Sequence, residues 1–467
     1  MVGHYKVYPE YKNTDIKFLK NIPTHWVTSK VRYISSFGRG LSITKADLQD
    51  SGVPCVSYGE VHSMFGFEVD PKRHLLKCVN EGYLKTSSYA LLSKGDFVFA
   101  DTSEDIDGSG NFTQLISDER VFAGYHTVIV RPNLKNHYRF IAYLFDSAEF
   151  RTQIQDAVKG VKVFSITQAI LKSADVWFPS YEEQQKIASF LDHETAKIDT
   201  LIAKQEKLIE LLKEKRQAVI SHAVTKGLNP DVPMKDSGIE WLVDVPDHWG
   251  KIAFKQIIKT RKGVAFSSSD FCDSGIRVVK ASDIKQLTLN KSDVFLPEAF
   301  VNKYPKAYLA QGNIILSTVG STPDVKNSAV GQIAIVPEEL DKTLLNQNTV
   351  VFDPKGEMIC RDYLFWLLQT RAYRDHLDLY AHGTANQASL NVADMLSFRC
   401  FIPPIDEQKR ISEYLQQFLD KVSNLETKMV TIIELIKERK TALISAAVTG
   451  KIDVRDWDIG ETDEFTR

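Results

Sequence analysis

Apolar residues fall into two kinds of pattern along the chain. Two runs of about forty residues contain no proline or glycine, and their apolar positions alternate at intervals of four and three. That spacing predicts a helix with one buried seam. In the first run the seam reads Ile187, Leu191, Glu194, Ile198, Leu201, Gln205, Leu208 and Leu212; in the second, 224 positions later, Ile411, Leu415, Phe418, Val422, Leu425, Met429, Ile432 and Ile436. Elsewhere the apolar runs are short. GDFVF from Gly95, HTVIV ending at Val130, GNIIL from Gly312 and NTVVF ending at Phe352 are rich in β-branched and aromatic residues and predict buried strands. FIAYLF from Phe140 and YLFWLL from Tyr363 are apolar throughout and predict buried helices. Each long run starts just after a proline, in WFPSYEEQQKI (Trp177–Ile187) and FIPPIDEQKRI (Phe401–Ile411). Glu182, Glu183, Asp406 and Glu407 supply the negative charge that a first helical turn favours.

These elements belong to two copies of one plan. KNTDIKFLKNIPTHW, Lys12 to Trp26, recurs 223 positions later as KDSGIEWLVDVPDHW, Lys235 to Trp249. Gly40 matches Gly263, and Gly160 matches Gly383. GDFVF pairs with GNIIL at an offset of 217, so the first copy carries a small insertion before it. The expected organisation is α+β. Residues 1–180 form one globular domain, 181–226 a long helix, 227–404 a second similar domain, 405–450 a second long helix and 451–467 an acidic, solvated tail. A lone amphipathic helix leaves its seam wet, so the two helices are expected to pair. If antiparallel, they form a coiled coil with pseudo-twofold symmetry, and about 30 paired residues make a rod of roughly 45 Å. Such a rod suits one extended, roughly twofold ligand bound at two points, and duplex DNA repeats every ~34 Å.

Composition excludes several classes. The 467 residues are 43% hydrophobic and 25% charged, an ordinary globular balance of two or three domains. No run is long and apolar enough to span a membrane, and the polar N-terminus does not read as a signal peptide. Cys55, Cys78, Cys272, Cys360 and Cys400 lie far apart with no CxxC pair, which points to reduced thiols in the cytoplasm and no metal site. A net charge of −2 is weak for a nucleic-acid binder, so charge placement has to carry that reading.

The paired IPTHW and VPDHW openings, the FP…EEQQKI and IPPIDEQKRI junctions and the LIELLKEKR and IELIKERK helix ends together resemble the specificity (S) subunit of type I restriction–modification systems. The likeness covers nearly the whole chain. It implies two target-recognition domains, each reading one half of a bipartite, asymmetric DNA site. It also implies an antiparallel helical spacer that docks two methyltransferase subunits, with motor-endonuclease (restriction) subunits completing the complex. S-adenosylmethionine, ATP and Mg are then expected on those partners, with no cofactor and no catalytic centre in this chain.

Candidates for DNA contact combine cations for phosphates with side chains that reach base edges. In the first copy they are Arg39 in a glycine turn, Lys45, Ser57 and Tyr58 after a strand, Thr102 and Ser103 at a loop tip, and Lys159 and Lys162 flanking Gly160. The second copy offers Arg261, Lys262, Lys280, Ser282, Thr318, Ser321, Asn386 and Gln387, the last two suited to adenine. Trp26, Trp249, His25 and His248 read as core packing and its neighbours. Signs of an internal enzyme are poor. Ile402-Pro403-Pro404-Ile405 lacks the amide and aromatic of an amino-methyltransferase loop, and no phosphate-binding GxxxxGK[ST] occurs. Pro323-Asp324 with Asp353-Pro354-Lys355 only loosely resembles a metal-nuclease outline. The competing reading is a coiled-coil adaptor that joins two protein-binding domains without DNA.

Overall fold

The structure is a computed structural model. It describes residues 5–458 apart from 134, 159, 161–162, 240, 286, 322–329 and 385–386. Packing divides the chain into two units, Met1–Gln205 with Val430–Arg467, and Glu206–Met429. The division therefore falls inside both long helices, which run continuously over Tyr181–Lys226 and Ile405–Val448.

In the first unit a five-stranded sheet is ordered Ser35–Arg39, Thr127–Pro132, Phe97–Ala100, Phe112–Leu115 and Phe67–Val69. A four-stranded sheet joins Cys78–Val79, Val53–Val56, Val121–Ala123 and Leu91–Leu92. The central strands are buried on both faces, which explains why Phe97 to Ala100 reads as an apolar run instead of alternating and why even Thr113 and Gln114 of Phe112–Leu115 are buried. Phe97, Phe99, Phe112, Phe145 and Phe150 form the middle of the core in tilted and edge-on pairs. The same core takes Ile187 and Leu191 from the start of the first long helix and Leu443, Ile444, Ala447 and Val448 from the end of the second. Because Asp199 meets Lys440 at 2.7 Å further along, the two segments run antiparallel here. Each fully buried Leu, Ile or Val contributes about 1.5–3 kcal/mol, so the end of the second helix is an integral part of this unit.

The second unit repeats the plan. One sheet is ordered Ile258–Lys262, Thr349–Pro354, Ile314–Ser317 and Ile333–Ile335; another is ordered Phe295–Leu296, Ile276–Val279, Thr343–Leu345 and Tyr308–Leu309. The first unit's fifth strand is reduced here to a single parallel bridge, Leu287 to Ala334. Its core takes Ile411, Leu415 and Leu419 from the second long helix and Ile220, Ala223 and Val224 from the end of the first.

The recurring sequence motifs are the fastenings of these helices. Glu183 accepts hydrogen bonds from Trp26 Nε1 (3.0 Å) and the Tyr8 hydroxyl (2.6 Å) and lies 2.8 Å from His25 Nε2. Glu407 meets Trp249 Nε1 (3.3 Å) and His248 Nε2 (2.8 Å) in the same way. The next residue, Gln184 or Gln408, accepts from the backbone N–H of His137 or Cys360 and donates to the carbonyl of Pro179 or Pro403. Trp26 and Trp249 are thus core residues, as expected, and each Pro-x-His-Trp motif exists to meet the acid of a first helical turn. The incoming helix ends are tied through one carbonyl each: Trp177 Nε1 donates to Val448 O at 2.7 Å, and the Tyr363 hydroxyl donates to Val224 O at 3.0 Å. Both helices stop at a glycine with positive φ, Gly227 at 79° and Gly450 at 72°.

Two expectations need correction. Along the first helix the positions turned inward are Leu191, Thr195, Ile198, Ile202, Gln205, Ile209, Leu212, Arg216, Val219 and Ala223, and the same positions recur 224 residues later from Leu415 to Ala447. Ile187, Ile198, Leu212, Ile411, Val422, Met429 and Ile436 lie on that face. Leu201, Leu208, Leu425 and Ile432 do not; they are 43–48% exposed. Glu194 and Phe418 sit at its edge, half-buried. Each misplaced residue is followed by the true inward one: Leu201-Ile202, Leu208-Ile209, Phe418-Leu419 and Ile432-Ile433 are apolar pairs of which the second member is the more buried, while Leu425 precedes the half-buried Glu426. The tail is also not simply solvated. Ile452 and Val454 are buried, Trp457 packs edge-on against Phe190 at 5.5 Å, and Asp453 N–H donates to Lys6 O. Apolar residues at alternate positions let this segment lie on the first unit while its acids face outward or pair, as Asp453 does with Arg455.

Candidate nucleic-acid interface

In each unit the strand carrying the sequence TVIV or TVVF begins at a tight turn, and four equivalent hydrogen bonds hold that turn. In the first unit the Thr127 hydroxyl donates to Gly124 O (2.7 Å), Gly124 N–H to Val56 O (2.7 Å), Asp101 N–H to His126 O (3.0 Å) and Gly40 N–H to Thr127 O (3.2 Å). In the second the Thr349 hydroxyl donates to Asn346 O, Asn346 N–H to Val279 O, Thr318 N–H to Asn348 O and Gly263 N–H to Thr349 O. The neighbouring glycine is required in both. A Cβ on Gly40 would lie 1.9 Å from Gly124 O, and one on Gly263 2.0 Å from Asn346 O. Each turn is therefore held rigidly against an adjacent strand end that carries a cation, Arg39 or Lys262, paired in register with Val128 or Val350.

The side chains presented there differ. The first turn presents Tyr125 and His126, and His126 adopts φ +55° with 57% of its side chain exposed. A left-handed backbone at a non-glycine residue is uncommon and costs energy. Tyr58 stacks edge-on against Tyr125 at 5.6 Å and His126 at 5.4 Å, and Asp101 Oδ1 lies 3.2 Å from His126 Nδ1. The second turn presents Gln347, exposed, and Asn348, half-buried. Neither residue of either pair was among the sequence candidates. The available signal was the mismatch GYHT against NQNT in front of two nearly identical strands.

Of the sequence candidates, Arg39, Lys45, Lys262 and Ser282 are exposed, while Tyr58, Thr102, Lys280 and Ser321 are half-buried. Lys159, Lys162 and Asn386 lie outside the described residues, and for Gln387 only the backbone, in the strand Gln387–Ser389, is described. Four candidates are corrected. Ser57 is fully buried at the start of the helix Tyr58–Ser63, where its N–H donates to Glu60. Ser103 is buried and its hydroxyl accepts from Asp105 N–H. Thr318 is buried with its backbone bonded on both sides, to Asn348 and Leu390. Arg261 spends its guanidinium on Asp353, Asn313 and the carbonyl of Tyr308. Asp353, half of the loose nuclease outline, is thereby a structural ion-pair partner, and Asp324 lies outside the described residues. Among the described residues no helix is long and apolar enough to cross a membrane.

Comparison with known proteins gives the same twofold division. The profile described as the type I restriction modification DNA specificity domain matches the chain twice, over residues 23–211 and 246–435. The chain is 26% identical over 332 residues to the type I restriction enzyme MjaVIII specificity subunit of Methanocaldococcus jannaschii, spanning 71% of this chain and 74% of that one. It is 20% identical over 437 residues to the EcoKI specificity subunit of Escherichia coli K12, spanning 92% and 90%. A solved chain, reported in work on complex assembly and conformational transition of the type I R-M system, shares the fold with a TM-score of 0.65 at 14% identity, covering 92% of this chain and 99% of that chain. Two matches of one profile, each ending inside a long helix and each containing one complete copy of the pinned turn, place the chain in the family of type I restriction–modification DNA specificity domains.

Proposed function

We propose that the chain is the non-catalytic, DNA-reading subunit of a type I restriction–modification complex. The observation that carries this is one scaffold built twice, with the same backbone bonds around a turn and different side chains displayed on it. Two like scaffolds with unlike tips suit a bipartite target whose halves differ in sequence. Arg39, Lys45, Lys262 and Lys280 are proposed as phosphate contacts, with Tyr58, Thr102, Ser282, Ser321, Asn386 and Gln387 as candidates for contact with base edges.

The long helices are proposed as the spacer and as the docking surface for two methyltransferase subunits. The exposed apolar residues support this reading. Leu201, Ile432 and Leu435 in the first unit correspond by the 224-residue repeat to Leu425, Leu208 and Leu211 in the second, and all six are exposed. A repeated apolar stripe on otherwise polar helices suits a partner present in two copies. Motor-endonuclease subunits would then join that assembly in the cytoplasm, bringing ATP and Mg, while the methyltransferases bring S-adenosylmethionine.

Methylome sequencing of cells carrying this chain with its methyltransferase tests the proposal. A bipartite methylated motif that vanishes with the chain is expected; an active, bound methyltransferase with no chain-dependent motif would favour a DNA-free adaptor. Adding one heptad to both helices is expected to lengthen the gap between the half-sites, and adding it to one alone to disrupt the complex.

A further inference from the structure

We infer that base identity in each half-site is read chiefly by the two-residue turn tips, Tyr125-His126 in the first unit and Gln347-Asn348 in the second. This rests on the DNA-reading role proposed above. The argument begins with what the two turns share. Three equivalent backbone hydrogen bonds, one threonine hydroxyl bond and a glycine without room for a Cβ fix each tip in place. A reader of base edges needs that rigidity, because a side chain that must be ordered on binding loses part of its discrimination to entropy.

What differs is the chemistry on display. Asp101 Oδ1 lies 3.2 Å from His126 Nδ1, which leaves Nε2 as the ring nitrogen available to a base. In the tautomer that carries its proton on Nδ1, facing Asp101, Nε2 accepts from an exocyclic amine, that of adenine N6 or cytosine N4 in the major groove. Tyr125 and Tyr58 wall the imidazole on its apolar side. The amides of Gln347 and Asn348 have no hydrogen-bond partner among the described residues, and each offers the donor and acceptor that adenine N7 and N6 require. Beside each tip, two strand residues away, stands the exposed cation Arg39 or Lys262, placed to hold a phosphate and set the approach of the duplex. The left-handed φ at His126 fits this picture, since strain of this kind persists where surrounding structure enforces it.

The test uses the full chain assembled with its methyltransferase and reads the methylated motif. Three variants are compared with wild type: His126→Asn, Tyr125→Gln with His126→Asn, and Gln347→Ala with Asn348→Ala. Asparagine tolerates φ > 0, so His126→Asn keeps the turn intact. The first two are expected to change or relax base preference in one half of the motif by roughly 10-fold or more, with the other half and the gap unchanged. The third should relax only the opposite half. A wild-type motif retained in full by folded His126→Asn and by the Gln347/Asn348 variant would overturn the assignment of the tips while leaving the DNA-reading role intact. Absence of any chain-dependent motif with wild type would overturn both.

Discussion

Arg131 and Arg261 stand on different strands yet place their guanidinium groups on equivalent carbonyls. Arg131 donates to Tyr89 O and Leu91 O at 2.9 and 3.0 Å, and Arg261 to Lys306 O and Tyr308 O at 3.3 and 2.7 Å. Those carbonyls correspond across the two copies at the offset of 217 that relates Gly95 to Gly312. Arg261 occupies the strand position of Gly38, and Asp353 that of Arg131. The exchange explains Gly38, where a Cβ would lie 2.7 Å from Arg131 Nη1. Two duplicated domains have thus kept one cation at one place while changing the strand that supplies it.

Arg261→Ala is accordingly expected to destabilise the second unit, because Asp353 and Asn313 lose a charged partner inside the fold. A cost of about 1–3 kcal/mol is expected from thermal or denaturant unfolding. Lys262→Ala, one residue on and exposed, should leave stability unchanged and lower the salt dependence of DNA binding by about one counterion. If Arg261→Ala instead reduces the salt slope without loss of stability, the guanidinium is a phosphate contact after all.

Glu183 and Glu407 close the two Pro-x-His-Trp motifs, and Glu183 is the more demanding site because it serves three donors. Glu183→Ala leaves Trp26 Nε1 and the Tyr8 hydroxyl buried without an acceptor, with an expected cost of about 2–4 kcal/mol. Glu407→Ala, at a partly exposed site with two partners, should cost less. Equilibrium unfolding of both variants checks the order.

The phase of the helix seam predicts a division between stability and assembly. Ile202→Ala and Ile209→Ala, on the inward face, are expected to lower stability by about 1–3 kcal/mol, since each is only half-buried. Leu208→Ser with Ile432→Ser should change stability little and weaken binding of the methyltransferase, measured by co-purification or calorimetry. Equal binding by this double variant would remove the apolar stripe from consideration as a docking surface.

Asp146, at the end of the helix Tyr138–Asp146, gives the first unit a dependence on pH. Burial pushes its carboxyl up to about 6, with Arg151 and Lys440 opposing the shift. The folded state therefore holds this proton more tightly than the unfolded chain does. Its contribution favours folding below about pH 4 and is lost as pH rises through 6. Asp146→Asn should raise the melting temperature at pH 7.5 relative to wild type and shrink the gain otherwise seen on acidification from pH 6 towards 4.

The architecture was legible because duplication prints the same pattern twice, and the prolines, glycines and apolar runs that bound each element recur in register. The seam was legible to within one residue. Where Leu201-Ile202 or Leu208-Ile209 are both apolar, apolarity alone cannot choose between them, and inward polar residues such as Arg216, Glu426 and Lys440 hide the phase further. The site was harder to read. A hydroxyl after a strand suggests an exposed loop tip, yet Ser57 stands three residues before Glu60 in the pattern of a capping box, which marks a helix start. Arg261 looked free because its partners, Asn313 and Asp353, are distant in sequence. Tyr125 and His126 carry no charge pattern; only the comparison of the two copies exposes them.

The interleaving of the two units bears on the order in which the chain becomes structured as it is made. The second unit, Glu206–Met429, is contiguous, whereas the first needs Leu443 to Val454 to complete its core. At about 5–20 residues per second, synthesis from Gln205 to Val454 takes on the order of 10–50 s. Throughout that interval the indole of Trp177, which donates to Val448 O, and the ring of Phe190, which packs on Trp457, wait uncovered. The domain translated first is thus the one finished last, and its uncovered apolar surface is most open to wrong contacts during that delay.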